Sequence, residues 1–171
     1  MSLVRPYVMV DSILDIEVEW LQEKAVTGLF VDIDNTVFAS HDAPNQPIRA
    51  EFKAKLGEFV DARISVVLIS NNRRERVAAI AGQVGLPYVS FAIKPLPFGF
   101  LRAKRKLALP RKHIMHIGDQ LLTDVIGAQL CGIRAILVEP LVDKDNIFAK
   151  PSRLIERVLG TRKNKRSELD E

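Results

Sequence analysis

The sequence has 171 residues but only one cysteine, Cys131, and few aromatic residues. A single cysteine excludes an internal disulfide framework and favours a reducing compartment, so we expect a cytoplasmic protein. No apolar run approaches the ~20 residues of a membrane-spanning helix, and residues 1–6 lack the charged start and apolar core of a signal peptide. Aromatic residues, at 6%, do not interleave with basic ones, so we expect no specific nucleic-acid binding.

The apolar content of 47% is enough for one domain with a full core. We expect this domain to span residues 1–160 and to be followed by a charged, flexible tail over residues 161–171. The net charge of +4 favours anionic partners without choosing among phosphates, nucleic acids and lipid headgroups. The segment 150–166 is rich in lysine and arginine and has one acid, Glu156. It is either a solvated tail or a patch that makes peripheral contact with an anionic membrane, at the inner membrane face.

Short apolar, β-branched runs alternate with helical stretches, which is typical of a parallel sheet with crossover helices. The sequence therefore predicts a three-layer, Rossmann-like α/β fold with a central parallel five-stranded sheet and helices on both faces. Strands are predicted over residues 28–33, 64–69, 88–92, 114–118 and 134–138. Helices are predicted over residues 17–24, 47–61, 74–84, 98–108, 121–131 and 151–159.

Two aspartates, Asp32 and Asp34, follow the apolar run 28–31. Residues spaced i, i+2 at the exit of a strand point the same way if the strand geometry continues. Buried carboxylates need compensation of their charge, and Mg²⁺, which takes oxygen ligands, can supply it. The alternative is a solvated turn at the end of a strand, where Asp and Asn are common.

The later strands also deliver polar side chains at their carboxyl ends. Ser70 and Asn71 follow the second predicted strand, Lys94 follows the third, and Asp119 and Asp124 follow the fourth. Ligands bind beyond the carboxyl ends of an open parallel sheet, so we expect these groups to converge on one crevice. Other interpretations stay open: the two aspartates as caps of the next helix, the serine as a turn residue, and the lysine as a surface charge.

This ordered set of motifs resembles the haloacid-dehalogenase-like (HAD) phosphohydrolase superfamily. The matching elements are Asp32-x-Asp34-Asn-Thr, Ser70, Lys94 and Gly118-Asp119-x-x-x-x-Asp124. The resemblance implies a Mg²⁺-dependent phosphomonoester phosphatase that works through an aspartyl-phosphate intermediate. Asp32 would be the nucleophile, and Asp34 would act as general acid and then as general base. The metal would be held by the Asp32 carboxylate, the Asp34 backbone carbonyl and Asp119.

The resemblance also implies which residues bind the phosphorylated substrate. Ser70, together with the Asn71 backbone amide, would donate hydrogen bonds to phosphoryl oxygens. Lys94 would offset negative charge on the nucleophile and the phosphate. Asp124 would orient Lys94 or a metal-bound water rather than bind the metal itself. We expect purely structural roles for His113 and His116.

The chain carries further motifs at residues 10–13, 28–36, 70–72, 94–95, 118–125 and 139–143. With these motifs it most resembles, within the superfamily, the YqeG family (HAD subfamily IIIA). The gap of 38 residues from Asp32 to Ser70 and the gap of 24 from Ser70 to Lys94 leave no room for a cap domain, so we expect an open site. Relatives of this family include phosphatases of phosphatidylglycerophosphate, which implies a phospholipid phosphate as one substrate. The chain departs from the commonest pattern at Ile33 and Val37, where leucines are frequent.

Two alternative functions stay open on the sequence. One is a phosphatase of a soluble phosphomonoester or of a nucleic-acid end. The other is a module that binds phosphate or a partner without turnover, although such a module would have no need of the acid at position 34.

Overall fold

The computed structural model describes residues 4–141, which form a parallel sheet with helices on both faces. The predicted helix 151–159, the basic segment 150–166 and the tail 161–171 lie outside this range. The sheet has six strands in the order β1-β6-β5-β2-β3-β4, and every neighbouring pair is parallel. The strands are β1 (Val8–Val10), β2 (Gly28–Asp32), β3 (Ser65–Ile69), β4 (Tyr88–Val89), β5 (Ile114–Gly118) and β6 (Arg134–Val138).

The α/β prediction is confirmed, but the predicted number of strands, five, was too low. The additional strand, β1, pairs in parallel with β6 at the edge of the sheet, with Val8 opposite Ile136. Its three residues are too few to give a periodic signal in the sequence. The third predicted strand, 88–92, is only two residues long because the chain turns out of the sheet at Ser90.

Five α-helices surround the sheet in the described part of the chain. They are α1 (Val18–Glu23), α2 (Ala50–Asp61), α3 (Arg74–Val84), α4 (Pro97–Leu107) and α5 (Ile126–Leu130). Short 3₁₀ turns occupy Ile13–Asp15 and Arg111–His113, and one π-helical stretch, Leu121–Val125, leads directly into α5. None of the helices among residues 4–141 has both the length and the apolar character needed to cross a bilayer.

Two helix boundaries differ from the prediction for identifiable reasons. Helix α2 begins at Ala50 rather than Pro47, because Gln83 binds the preceding segment: its amide accepts from the Ile48 backbone N–H at 2.8 Å and donates to the Gln46 carbonyl at 2.9 Å. The predicted helix 121–131 starts as a wider π turn, a distortion that is frequent at functional sites. Helix α3 matches its predicted bounds and ends at Gly85, whose φ of +66° is the left-handed conformation that glycine adopts readily.

The apolar core lies in two layers separated by the sheet. Side chains of β2 alternate between them: Leu29 and Val31 face the layer under α1, α2 and α3, whereas Phe30 faces the layer under α4 and α5. All three are fully buried. Because β2 lies between β5 and β3 and is covered on both faces, its carboxyl end is held at the centre of one sheet edge.

Candidate active site

Asp32 is the last residue of β2 and lies at the centre of the site, and the chain turns sharply directly after it. The Asn35 backbone N–H donates to the Phe38 carbonyl at 2.7 Å, and Asn35 has a φ of +63°, a conformation that Asn tolerates better than most residues. The Thr36 hydroxyl donates to Asp32 Oδ2 at 3.4 Å. The pair Asp32 and Asp34 therefore emerges from a fixed turn rather than from a solvated loop, with Asp32 only 5% exposed.

Lys94 bridges two carboxylates that come from different strands. Its Nζ lies 2.5 Å from Asp32 Oδ1 and 2.6 Å from Asp124 Oδ1, and all three side chains are buried. The Asn71 side chain sets the position of the lysine, because its amide accepts from the Lys94 backbone N–H at 2.7 Å and donates to the Lys94 carbonyl at 3.1 Å. Lys94 is therefore a buried, oriented cation and not a surface charge.

Asp124 is held on both of its oxygens. Besides Lys94, Oδ1 lies 2.8 Å from His116 Nε2, and Oδ2 accepts from the Gln120 backbone N–H at 3.1 Å. Burial opposes the charged form of Asp124, but the attraction of Lys94 and the hydrogen bond from His116 outweigh it and hold the pKa of Asp124 below its ordinary value. Burial lowers the pKa of His116. Gly118 is required here, because a Cβ at that position would overlap the Asp124 carboxylate.

Three buried aspartates can hold a metal ion. Carboxylate oxygens of Asp32, Asp119 and Asp124 all lie within 4.8 Å of one another. Burial, together with the charges of these neighbouring acids, raises the pKa of Asp32 well above its ordinary value even though Lys94 opposes the shift. Because the all-oxygen donor set suits a hard divalent cation, and such a cation would stabilise the charged form of Asp32, the residues present fit a metal ion.

Asp34 is held by a separate set of donors. Its Oδ1 accepts from Arg76 Nε at 3.2 Å and from Arg76 Nη2 at 2.9 Å. Its Oδ2 accepts from the Ser70 hydroxyl at 3.1 Å and from Asn72 Nδ2 at 2.8 Å. Arg76 also donates to backbone carbonyls of the loop after β2, those of Ala39, Ser40 and Asp42. The carboxylate of Asp34 is thus fixed in place on both of its oxygens.

The structure brings all seven sequence-predicted site residues to one edge of the sheet. They are Asp32, Asp34, Ser70, Asn71, Lys94, Asp119 and Asp124. Lys94 contacts Asp32 and Asp124, Ser70 contacts Asp34, and a carboxylate oxygen of Asp119 lies within 4.8 Å of those of Asp32 and Asp124. His113 lies elsewhere and contacts the Ala25 carbonyl through Nδ1 at 2.7 Å. His116 has a packing role against Phe100, with the rings 5.0 Å apart, but it also touches Asp124 directly.

Sequence reasoning missed Arg76, whose side chain donates to the Asp34 carboxylate and to carbonyls of the loop after β2. It lies within α3 among Arg73, Arg74 and Glu75, so the sequence offers no reason to separate it from the solvated charges of a helix face. One feature of the sequence could have indicated its role: Arg76 lies in the first turn of the helix that follows β3. The first turn of such a helix faces the carboxyl edge of the sheet, where the site lies.

Sequence comparison gives a direct relationship to known proteins. A family model described as HAD-hydrolase-like matches residues 92–155. The chain is 36% identical over 162 residues to the Bacillus subtilis (strain 168) protein named "Probable phosphatase YqeG", and the match covers 94% of this chain and 92% of that protein.

Structural comparison finds the same fold in solved structures. A Legionella pneumophila protein assigned to the HAD superfamily, subfamily III A, aligns with a TM-score of 0.51 at 18% identity over 83% of this chain and 89% of that one. The cobalt-bound deoxy-D-mannose-octulosonate 8-phosphate phosphatase of Haemophilus influenzae aligns with a TM-score of 0.52 at 12% identity over 82% and 92%. At these identities the likeness concerns the fold, whereas the sequence match decides the family: the chain belongs to the YqeG family of HAD-type phosphatases.

Proposed function

We propose that this protein is a Mg²⁺-dependent phosphomonoester phosphatase that forms an aspartyl-phosphate on Asp32. The observation that carries the proposal is the buried group around Asp32: Lys94 Nζ lies 2.5 Å from its carboxylate, and carboxylate oxygens of Asp119 and Asp124 lie within 4.8 Å. Phosphoryl transfer needs positioned charges of this kind, because most of its catalysis is electrostatic.

Two carboxylates divide the chemistry of the reaction. An Asp32 oxygen attacks phosphorus, and the bond to the leaving oxygen breaks while Asp34 gives that oxygen a proton. In the second half, Asp34 takes a proton from water as the water attacks the aspartyl-phosphate and frees Asp32. The hydrogen bonds from Asn72 and Arg76 support this division, since they hold the Asp34 carboxylate in one place for both proton transfers.

Two positive groups, the Lys94 ammonium and a bound Mg²⁺, would balance the negative charge on the phosphate. Asp32, Asp119 and the backbone carbonyl of Asp34 would hold Mg²⁺, which when bound neutralises negative charge between nucleophile and phosphate. Asp124 is already engaged by Lys94, His116 and the Gln120 amide, so we assign it to orienting Lys94.

Phosphoryl oxygens would accept hydrogen bonds from the Asn71 backbone amide and from the Ser70 hydroxyl, which would turn from Asp34 Oδ2 to the phosphate. The Asn71 side chain is committed to the backbone of Lys94, which leaves its backbone as the group available to the substrate.

The open architecture favours a phosphate carried on a large molecule or on a surface. Residues 33–64 and 70–87, which connect β2 to β3 and β3 to β4, each contain a single α-helix and no inserted domain. We favour a phospholipid phosphomonoester such as phosphatidylglycerophosphate, with soluble phosphomonoesters and nucleic-acid ends as the competing substrates. Peripheral contact with an anionic membrane would bring the enzyme to such a substrate.

Release of inorganic phosphate tests the proposal. The purified full-length chain should hydrolyse an aryl phosphate with MgCl₂, lose activity in EDTA and recover it with added Mg²⁺. A parallel screen should compare phosphatidylglycerophosphate in vesicles with nucleotides, sugar phosphates and phosphorylated DNA ends. Tight phosphate binding without any metal-dependent release would instead favour a binding module that does not turn over.

A further inference from the structure

The loop that carries Lys94 and the first turn of α4 together carry four large apolar side chains that face solvent. Phe91, Ile93, Leu96 and Phe98 are 53%, 55%, 47% and 58% exposed, whereas Lys94 between them is 6% exposed. We call these four residues the apolar rim. Isolated exposed apolar residues are common on soluble proteins, but four within eight positions beside a buried site form a patch that calls for an explanation.

The backbone fixes the apolar rim in this outward orientation. The Ala92 N–H donates to the Ser70 carbonyl at 3.0 Å, and Ala92 packs so closely against Gly99 that a Cβ on the glycine would overlap it. Phe91 and Ile93 flank this buried alanine and have φ values of +45° and +57°, which residues other than glycine and asparagine rarely adopt. The buried alanine and lysine point inward, and the apolar residues between and beside them therefore point away from the core.

Basic side chains border the apolar rim. The Phe91 N–H donates to the Asn72 carbonyl at 3.0 Å, which brings the rim next to exposed Arg73 at the start of α3. On the other side, Arg102 lies one helical turn after Phe98 and donates to the Phe91 carbonyl. Helix α4 continues with Lys104, Arg105 and Lys106 and has no acidic residue.

We propose that the apolar rim and its basic border dock the protein on the surface of an anionic phospholipid bilayer, with the rim inserted at the level of the headgroups. Apolar side chains that enter the interface, surrounded by lysine and arginine, are the combination that such surfaces bind. A polar protein partner would not require four exposed apolar groups, and a purely apolar interface would not require the basic border. This assignment rests on the proposed function, since it presents a lipid-borne phosphomonoester to Lys94 and Asp32.

Sedimentation of the full-length chain with vesicles tests the docking surface. Vesicles of phosphatidylcholine and phosphatidylglycerol in equal parts should bind the protein, and vesicles of phosphatidylcholine alone should bind it more weakly. The double substitution Phe91→Ser/Phe98→Ser should weaken binding by about tenfold or more. The matched control, Val60→Ser/Leu130→Ser, removes two exposed apolar side chains outside the rim and should bind as the original protein does.

A second pair of variants, one test and one control, examines the basic border. Arg73→Gln/Arg105→Gln should weaken binding to the anionic vesicles, and added salt should reduce the difference. Arg111→Gln/Lys112→Gln removes two exposed charges just before β5, at the opposite edge of the sheet, and should have a smaller effect. Equal loss of binding in both pairs would mean that net charge alone attracts the membrane, which would overturn the proposed surface.

Two further measurements keep the proposal separate from the proposed function. The rim variants should hydrolyse a soluble aryl phosphate at the original rate, so failure of the phosphatase proposal would appear in that assay and not in sedimentation. The substitution Phe98→Trp adds a reporter whose emission should shift to shorter wavelength on anionic vesicles. Three results would each overturn the proposal. They are an unchanged emission of Phe98→Trp on anionic vesicles, equal sedimentation of the Phe91→Ser/Phe98→Ser variant and the original protein, and a dimer that depends on the rim but does not bind vesicles.

Discussion

Lys94 Nζ and Asp32 Oδ1 lie 2.5 Å apart, although 62 residues separate them in the chain. Asp32 ends the central strand β2, and Lys94 follows the edge strand β4, so the contact crosses the carboxyl edge of the sheet. The same ammonium contacts Asp124. Burial of Lys94 opposes its charged form, but the attraction of Asp124 and Asp32 outweighs this effect and holds the pKa of Lys94 above its ordinary value. The stability of the folded protein therefore depends on the positive charge of Lys94 between the two buried carboxylates.

Removal of the Lys94 charge should destabilise the metal-free protein. Lys94→Met keeps most of the side-chain volume but leaves Asp32 and Asp124 buried without their ammonium, which costs about 3–5 kcal/mol when one partner of a buried pair is lost. Urea unfolding should show the loss as a lower midpoint. The control Lys55→Met breaks a contact to the half-exposed Glu58 and should change the free energy of unfolding by less than about 1 kcal/mol. Equal effects of the two substitutions would contradict the role given to Lys94.

The sequence predicted the parallel α/β fold and the edge at which the site lies, because both depend on local patterns. Strands β5 and β6 and helix α3 have their predicted bounds, and the polar residues at strand ends meet because parallel strands share one carboxyl edge. The contacts among those side chains were not predictable. Arg76 contacts Asp34, which lies 42 positions away in the sequence. Asp124 could have been only a helix cap, and its contact with Lys94, 30 positions away, is what places it in the site.

Gly118 shows a second limit of the sequence, since a glycine beside an aspartate is common in turns. Gly118→Ala should displace the Asp124 carboxylate and so weaken both stability and turnover, because the added Cβ has no space. Gly82→Ala is the matched control: it lies in α3 with open space around its Cβ position, and it should stabilise the protein by about 0.5–1 kcal/mol through helix propensity. Thermal or urea unfolding and aryl phosphate turnover measure both effects. A neutral Gly118→Ala would show that Asp124 is not confined as described.

Arg76 should affect turnover by positioning Asp34 rather than by touching the substrate. Arg76→Lys keeps one charge but cannot make the two contacts to Asp34 Oδ1 together with those to the loop carbonyls, so kcat should fall about 10–100-fold with a smaller change in KM. Steady-state kinetics with an aryl phosphate measures the split. The exposed neighbour serves as control, because Arg74→Lys should leave both constants unchanged. A loss confined to KM would argue for direct substrate binding instead.

Alkylation of Cys131 should be slow and strongly dependent on pH. The thiol is 5% exposed, and burial raises its pKa, although Arg111 opposes the shift. Since the thiolate is the reactive form, the rate with iodoacetamide in the folded protein should remain below that in urea at neutral pH. Its rise with pH should have its midpoint at a higher pH in the folded protein than in urea. Intact mass against time measures the rate. Equal rates in the folded and unfolded states would contradict the burial of this side chain.

Identification of the phosphorylated residue tests the role of Asp32 most directly. The enzyme should be mixed with excess substrate and Mg²⁺, quenched in acid within one turnover and reduced with borohydride, which converts an aspartyl-phosphate to homoserine. Peptide mass analysis should then find homoserine at position 32. Asp32→Asn should give no such product and should lower turnover by about 10³-fold or more. Its free energy of unfolding should stay within about 1 kcal/mol of the original value, because Lys94 keeps Asp124 as its partner. Homoserine at another position, or full turnover in Asp32→Asn, would contradict the assignment of Asp32 as the nucleophile.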